Sequence, residues 1–217
     1  MNEELDGILE EMMRALRGLA LEREMSVPDI VREALGEYLL ARAPGVNLFD
    51  VIHGIESAMR REGRFVTDAD PAGLAIRIKS PIRYVYRPEL KYEVRAVRNG
   101  RAGDGKAAFG TLGVALRTHD IEMLRRFAGF TGLWIELERE YLAPAGQITY
   151  VTDAGYFGRQ IFRPETARRG DGPSVGEAIS NYICVFDELL KDYFNHRDSR
   201  ELEQRYLARL AEGKLTI

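Results

Sequence analysis

Gly100-Arg101-Ala102-Gly103-Asp104-Gly105-Lys106-Ala107 carries the glycine and lysine spacing with which a loop can cradle nucleotide phosphates. The last position of that pattern needs a Ser or Thr hydroxyl to hold Mg²⁺, and Ala107 offers none. Such a loop must also open a helix, whereas Phe109-Gly110-Thr111-Leu112-Gly113-Val114 has the character of a strand. Gly103-x-Gly105-x-x-Ala108 imitates a dinucleotide fingerprint and lacks the same helix. The segment therefore reads as a loop joining two strands.

Gly172-Pro173-Ser174-Val175-Gly176 has the spacing of a serine nucleophile elbow, which requires a buried strand just before it. Residues 165–171 are polar, so Ser174 with Glu177 three residues on reads instead as a capping box for the next helix. His53, His119 and His196 have no second metal-type ligand at helical or hairpin spacing, and no zinc pattern is present. His53, beside an apolar stripe, is expected to pack into the core. Asp68 and Asp70 precede Pro71, where turn formation accounts for them. Cys184 lies among Ile179, Ile183 and Phe186 on one helical face and is expected to be buried. Neither a catalytic constellation nor a cofactor site emerges from these spacings.

The strongest charge signal lies elsewhere. Residues 77–106 hold nine cations against three carboxylates. Period-two alternation puts Arg77 and Lys79 on one strand face, Arg83 and Arg87 on a second, and Lys91 and Arg95 on a third. Tyr84, Tyr86 and Tyr92 interleave. A twisted basic sheet with aromatics suits nucleic acid or an anionic small-molecule ligand. The competing reading is a solvated face whose cations pair with carboxylates of the same molecule.

The elements that must position these residues follow from length and periodicity. At 217 residues with a 45 % hydrophobic fraction, the chain can bury a sizeable core. No apolar run approaches the ~18 residues of a membrane span. The acidic start, Glu3-Glu4-Leu5-Asp6, is unlike a signal peptide, and a single cysteine forbids an internal disulfide. A cytoplasmic, membrane-free protein is expected. Leu5, Ile8, Leu9, Met12, Leu16, Leu19 and Ala20 recur at helical spacing. Ser26-Val27-Pro28-Asp29 then supplies a capping signal, and a second stripe runs from Val27 to Leu39 until Ala43-Pro44-Gly45 stops it. A third helix is expected over about 47–62. Strands are expected near 65–66, 74–78, 82–86, 91–97 and 111–117. Residues 120–141 read as helix in part, with 133–137 as an alternative strand. A hairpin is expected over 147–162, then a polar loop over 163–173, then helices over about 175–195 and 200–211. The fold class is α+β: a helical hairpin over residues 1–43, then an α+β domain over 44–217 with a mostly antiparallel sheet packed with helices and two C-terminal helices.

Leu16-Arg17-Gly18-Leu19-Ala20 followed by Met25-Ser26-Val27-Pro28-Asp29 and by Ala34-Leu35-Gly36-Glu37-Tyr38-Leu39 resembles the two helices of the ribbon-helix-helix family of bacterial repressors. The resemblance spans residues 8–42. It implies a homodimeric DNA-binding regulator in which Ser26 and Val27, at the start of the second helix, meet phosphate. The family's ribbon would fall on residues 2–8, where Glu3, Glu4 and Asp6 suit the first turn of a helix better and would repel a polyanion. Residues 1–43 hold five arginines against ten carboxylates, net −5. The function expected is a DNA-binding transcriptional regulator of ribbon-helix-helix type with a C-terminal sensing or assembly domain; the alternative is a non-catalytic ligand-binding or interaction protein whose acidic hairpin mediates self-association. A ribbon at residues 2–8 favours the first, a helix there the second.

Overall fold

A computed structural model describes residues 2–23, 25–32, 47–70, 73–82, 88–101, 107–142, 148–162, 171–196, 199–215 and 217. The expected domain boundary at 43–44, Arg83, Arg87, Tyr84, Tyr86 and most of the strand expected at 82–86 lie outside these residues.

The chain opens with helix α1 (Asn2–Glu22), so residues 2–8 are helical and form no ribbon. Helical residues 27–32 begin α2. Its start carries the expected Ser26 cap: Ser26 Oγ accepts from the Asp29 amide at 3.4 Å and donates to Asp29 Oδ2 at 2.5 Å. That bond, with Arg32 beside it, holds the Asp29 carboxyl below its ordinary range.

Helix α3 (Leu48–Glu62) is capped by the Asn47 side chain and closed by Gly63 in the left-handed region. Strands β1 (Val66–Ala69), β2 (Ala75–Pro81), β3 (Glu89–Arg101) and β4 (Ala107–Arg117) follow as an antiparallel meander. Helix α4 (Ile121–Tyr141) leads to the hairpin β5 (Tyr150–Asp153) and β6 (Tyr156–Phe162). The sheet order is β1-β2-β3-β4-β6-β5, antiparallel throughout. Helices α5 (Gly172–His196) and α6 (Ser199–Ala211) end the fold. This is the expected α+β class with two C-terminal helices. Among the described residues, no helix is long and apolar enough to cross a membrane.

The sheet has one buried face. Ile76 and Ile78, Leu90, Tyr92 and Val94, and Leu112, Val114 and Leu116 alternate inward and join Val51, Ile55, Met59, Phe127, Phe130, Trp134, Tyr182, Ile183 and Phe186 from the helices. Helices α3 and α5 cross with their backbones in contact. A Cβ added at Gly176 would stand 2.5 Å from the Val51 carbonyl oxygen, and one at Gly54 2.9 Å from that of Pro173.

Several local expectations change. α4 is one continuous helix, because Met123, Phe127, Phe130, Trp134 and Leu137 are buried at helical spacing and outweigh Gly129 and Gly132. α5 starts at Gly172, inside the span expected as a polar loop, and Ser174 lies inside the first turn rather than at the cap; residues 163–170 lie outside the described residues. Glu177, freed from any capping box, reaches Arg61 at 3.1 Å. His53 is solvent-facing, with 69 % of its side chain exposed; the apolar stripe of α3 turns past it.

Candidate functional site

The loop with phosphate-binding spacing proves to be a strand connection. Gly100 pairs with Ala108 and Arg101 with Ala107 across β3 and β4, and the chain continues as strand. Residues 102–106 of the motif lie outside the described residues.

The basic strands have their own carboxylates. Arg77 and Lys79 on β2, and Lys91 and Arg95 on β3, share the sheet face opposite the core. Arg77 Nε lies 3.3 Å from Glu93 Oε1 and Arg77 Nη1 3.6 Å from Asp68 Oδ2. Arg95 Nε meets the other Glu93 oxygen at 2.9 Å. Glu89 takes Lys91 at 2.8 Å and faces Lys79 at 3.9 Å. Hydrogen bonds from Arg95 hold the Glu93 carboxyl below its ordinary range, and those from Lys91 do the same for Glu89. Each of the four described candidate cations therefore has a carboxylate within 4 Å. Tyr92 points the other way, fully buried, and does not interleave with the cations.

Two buried ionic networks sit beneath the sheet, and sequence reasoning missed both. In the first, Asp187 of α5 is fully buried. Its Oδ1 accepts from Ser80 at 2.6 Å and from Tyr92 at 3.0 Å. Its Oδ2 accepts from Lys191 at 2.9 Å and from Arg64 at 3.1 Å. Lys191 Nζ also donates to Ser80 Oγ at 2.7 Å. A serine touching a lysine is the geometry of a nucleophile and its base. Here the ammonium donates to both Asp187 and Ser80, the serine proton points to Asp187, and Ser80 is 4 % exposed. The cluster is a satisfied structural junction between β2, β3 and α5. Cys184 beside it is half-buried, and burial pushes its thiol up to about 11, away from reactivity.

In the second network, Glu138 of α4 and Arg159 of β6 meet at 3.0 Å. Tyr182 donates to Glu138 Oε1 and Tyr150 to Oε2, each at 2.7 Å, and Trp134 Nε1 donates to the Tyr182 hydroxyl at 2.7 Å. Arg159 also reaches the Ile217 oxygen, and its guanidinium lies 4.8 Å from the Tyr182 ring centroid. The buried Tyr206 hydroxyl nearby has no hydrogen-bond partner among the described residues. Arg159 carried a legible signal: it alternates with Phe157 and Ile161 on the inward side of β6.

An open cleft of about 1300 Å³ lies at the end of β4, lined by Glu89, Arg117, His119, Asp120, Glu122 and Arg125 among others. Its charges are mixed. The α4 amino terminus there is occupied by its own cap, Asp120, which accepts from the Glu122 and Met123 amides.

The amino-terminal hairpin differs from expectation in one respect. Ala20 and Ile30 are buried, as a helical hairpin requires; of the other α1 stripe residues whose side chains are described, Leu16 is half-buried while Met12 and Leu19 are exposed. Met12 is 57 % exposed and Leu19 40 %, on one line of the helix; Leu21 at 86 % and Met13 at 39 % lie on other faces. Ser26 and Val27 begin α2 as placed, with no ribbon next to them. No family model, curated protein or solved structure matches this chain.

Proposed function

We propose that this chain is a non-catalytic interaction protein that self-associates through its amino-terminal hairpin, rather than a ribbon-type DNA reader. The observation that carries the reading is that Met12 and Leu19, seven residues apart on one face of the 21-residue α1, are both exposed. An isolated apolar row of this kind gains stability only by packing on a partner.

Two observations weigh against DNA reading. Residues 2–8 belong to α1, so no strand is offered to a major groove. Arg77, Lys79, Lys91 and Arg95 each already face Asp68, Glu89 or Glu93 within 4 Å, which lowers the positive charge these four offer a polyanion for counterion release. The serine, lysine and carboxylate of the Asp187 cluster are engaged with each other, which favours a structural over a catalytic role for them.

The test pairs two measurements on the full chain. Light scattering should give a dimer mass that persists when salt is raised. Fluorescence anisotropy with duplex DNA should show no affinity tighter than the weak non-specific level, roughly 10⁻⁴–10⁻⁶ M. Nanomolar, salt-sensitive DNA binding would reinstate the regulator.

A further inference from the structure

We infer that two copies of this chain associate through α1 packed antiparallel on α1. The inference rests on the proposed self-association and adds the segment, the register and the orientation.

Leu5, Leu9, Met12, Leu16 and Leu19 are spaced four, three, four and three residues apart on α1. That is the repeat of a two-helix seam, in which every second step returns to the same line along the helix. Within the described side chains of this row, Met12 and Leu19 are exposed and Leu16 is half-buried. At Met12 and Leu19 this line is open in the single chain. The row is also symmetric about Met12 to within one residue: Leu5 and Leu19 lie seven residues either side, Leu9 three before and Leu16 four after. Laid antiparallel against a second copy, Met12 meets Met12, Leu9 opposes Leu16, and Leu5 opposes Leu19.

Charge decides between the two orientations. Residues 2–11 hold five carboxylates and no cation, whereas residues 12–23 hold Arg14, Arg17 and Arg23 against Glu22 alone. Parallel pairing sets five carboxylates beside five. Antiparallel pairing sets the acidic half of each helix against the basic half of the other. These charges flank the seam instead of entering it, so they act across roughly a Debye length, ~8 Å at physiological ionic strength. The apolar row supplies the attraction, and the charge blocks select the direction.

A disulfide-trapping experiment reads the direction. In a full-length Cys184→Ser background, one chain carries Leu5→Cys and a second, distinguishable by a tag, carries Leu19→Cys. The two are mixed and equilibrated in a glutathione redox buffer at low salt. The expected product is the mixed disulfide in several-fold excess over both self-pairs, with the excess shrinking as salt is added. A majority of self-paired Leu19→Cys chains would overturn the antiparallel arrangement while leaving self-association intact. A dimer by light scattering with neither product would overturn the α1 seam but not self-association. A monomer by light scattering, with no product above that of urea-unfolded chains, would overturn both.

Discussion

Arg159 and Glu138 form an ion pair 3.0 Å long in which 1 % and 0 % of the two side chains are exposed. Three helices and a strand converge on it, since Trp134, Tyr182 and the Tyr206 ring surround it. Removing one partner leaves the other charge buried without its counterion. Arg159→Met should therefore cost about 3–5 kcal/mol, read as a lower urea midpoint. Replacing both partners, with Glu138→Leu added to Arg159→Met, should recover part of the loss. A single-variant loss below about 1 kcal/mol would contradict a closed network.

Tyr206 gives the opposite sign. Its hydroxyl is buried with no partner among the described residues, and an unmade hydrogen bond of this kind costs about 1–3 kcal/mol. Tyr206→Phe should leave the chain equally stable or raise its melting temperature. A clear fall would mean that the hydroxyl is hydrogen-bonded in solution through an ordered water.

The α3–α5 crossing depends on Gly176. A side chain there meets the Val51 carbonyl oxygen and the Ile55 amide, both main-chain atoms that cannot rotate away. Gly176→Val should destabilise by about 1–3 kcal/mol or more through overpacking. Gly132, with nothing within 4 Å, is the control. Gly132→Ala should be neutral or stabilising, because alanine is the better helix former.

Alkaline pH should unfold the protein along with its tyrosines. Burial, then the neighbouring carboxylates Asp187 and Glu138, hold Tyr92 and Tyr182 well above the ordinary value of 10.0. The folded state therefore keeps protons that the unfolded chain loses. Stability is fully present below pH 10.0 and falls as pH rises through the raised folded values. Tyrosinate absorbance should lag behind that of a denatured control and then appear together with loss of helical dichroism. Titration of all tyrosines near pH 10 in a folded chain would contradict the buried placement.

Much of the scaffold could be read from the residues alone, because it depends on local spacing. The stripe Leu48, Val51, Ile52, Ile55 and Met59 gave α3, and the reciprocal Ser26–Asp29 cap followed from two residue types three positions apart. The Asp153-Ala154-Gly155 turn placed the β5–β6 hairpin, with Gly155 at a φ of 74° that other residues rarely adopt. What escaped the sequence was long-range. Asp187 finds Ser80 and Tyr92 from about a hundred positions away, and no periodicity reports such a meeting. His53 was misplaced because the edge of a helical stripe differs from its centre by a single step of rotation. The carboxylates that neutralise Arg77 and Arg95 became visible only once the β2–β3 register set Glu93 opposite Arg77.

Sedimentation equilibrium of the full chain over a range of concentrations, beside a Leu19→Glu variant, bears most directly on the interaction surface. Leu19 is 40 % exposed, so the substitution spares the fold, which circular dichroism checks. The expected result is a monomer–dimer equilibrium for the native chain and a shift of at least tenfold toward monomer for the variant. A native chain that stays monomeric at every concentration, or a variant that dimerises as tightly as the native chain, would contradict a binding role for α1.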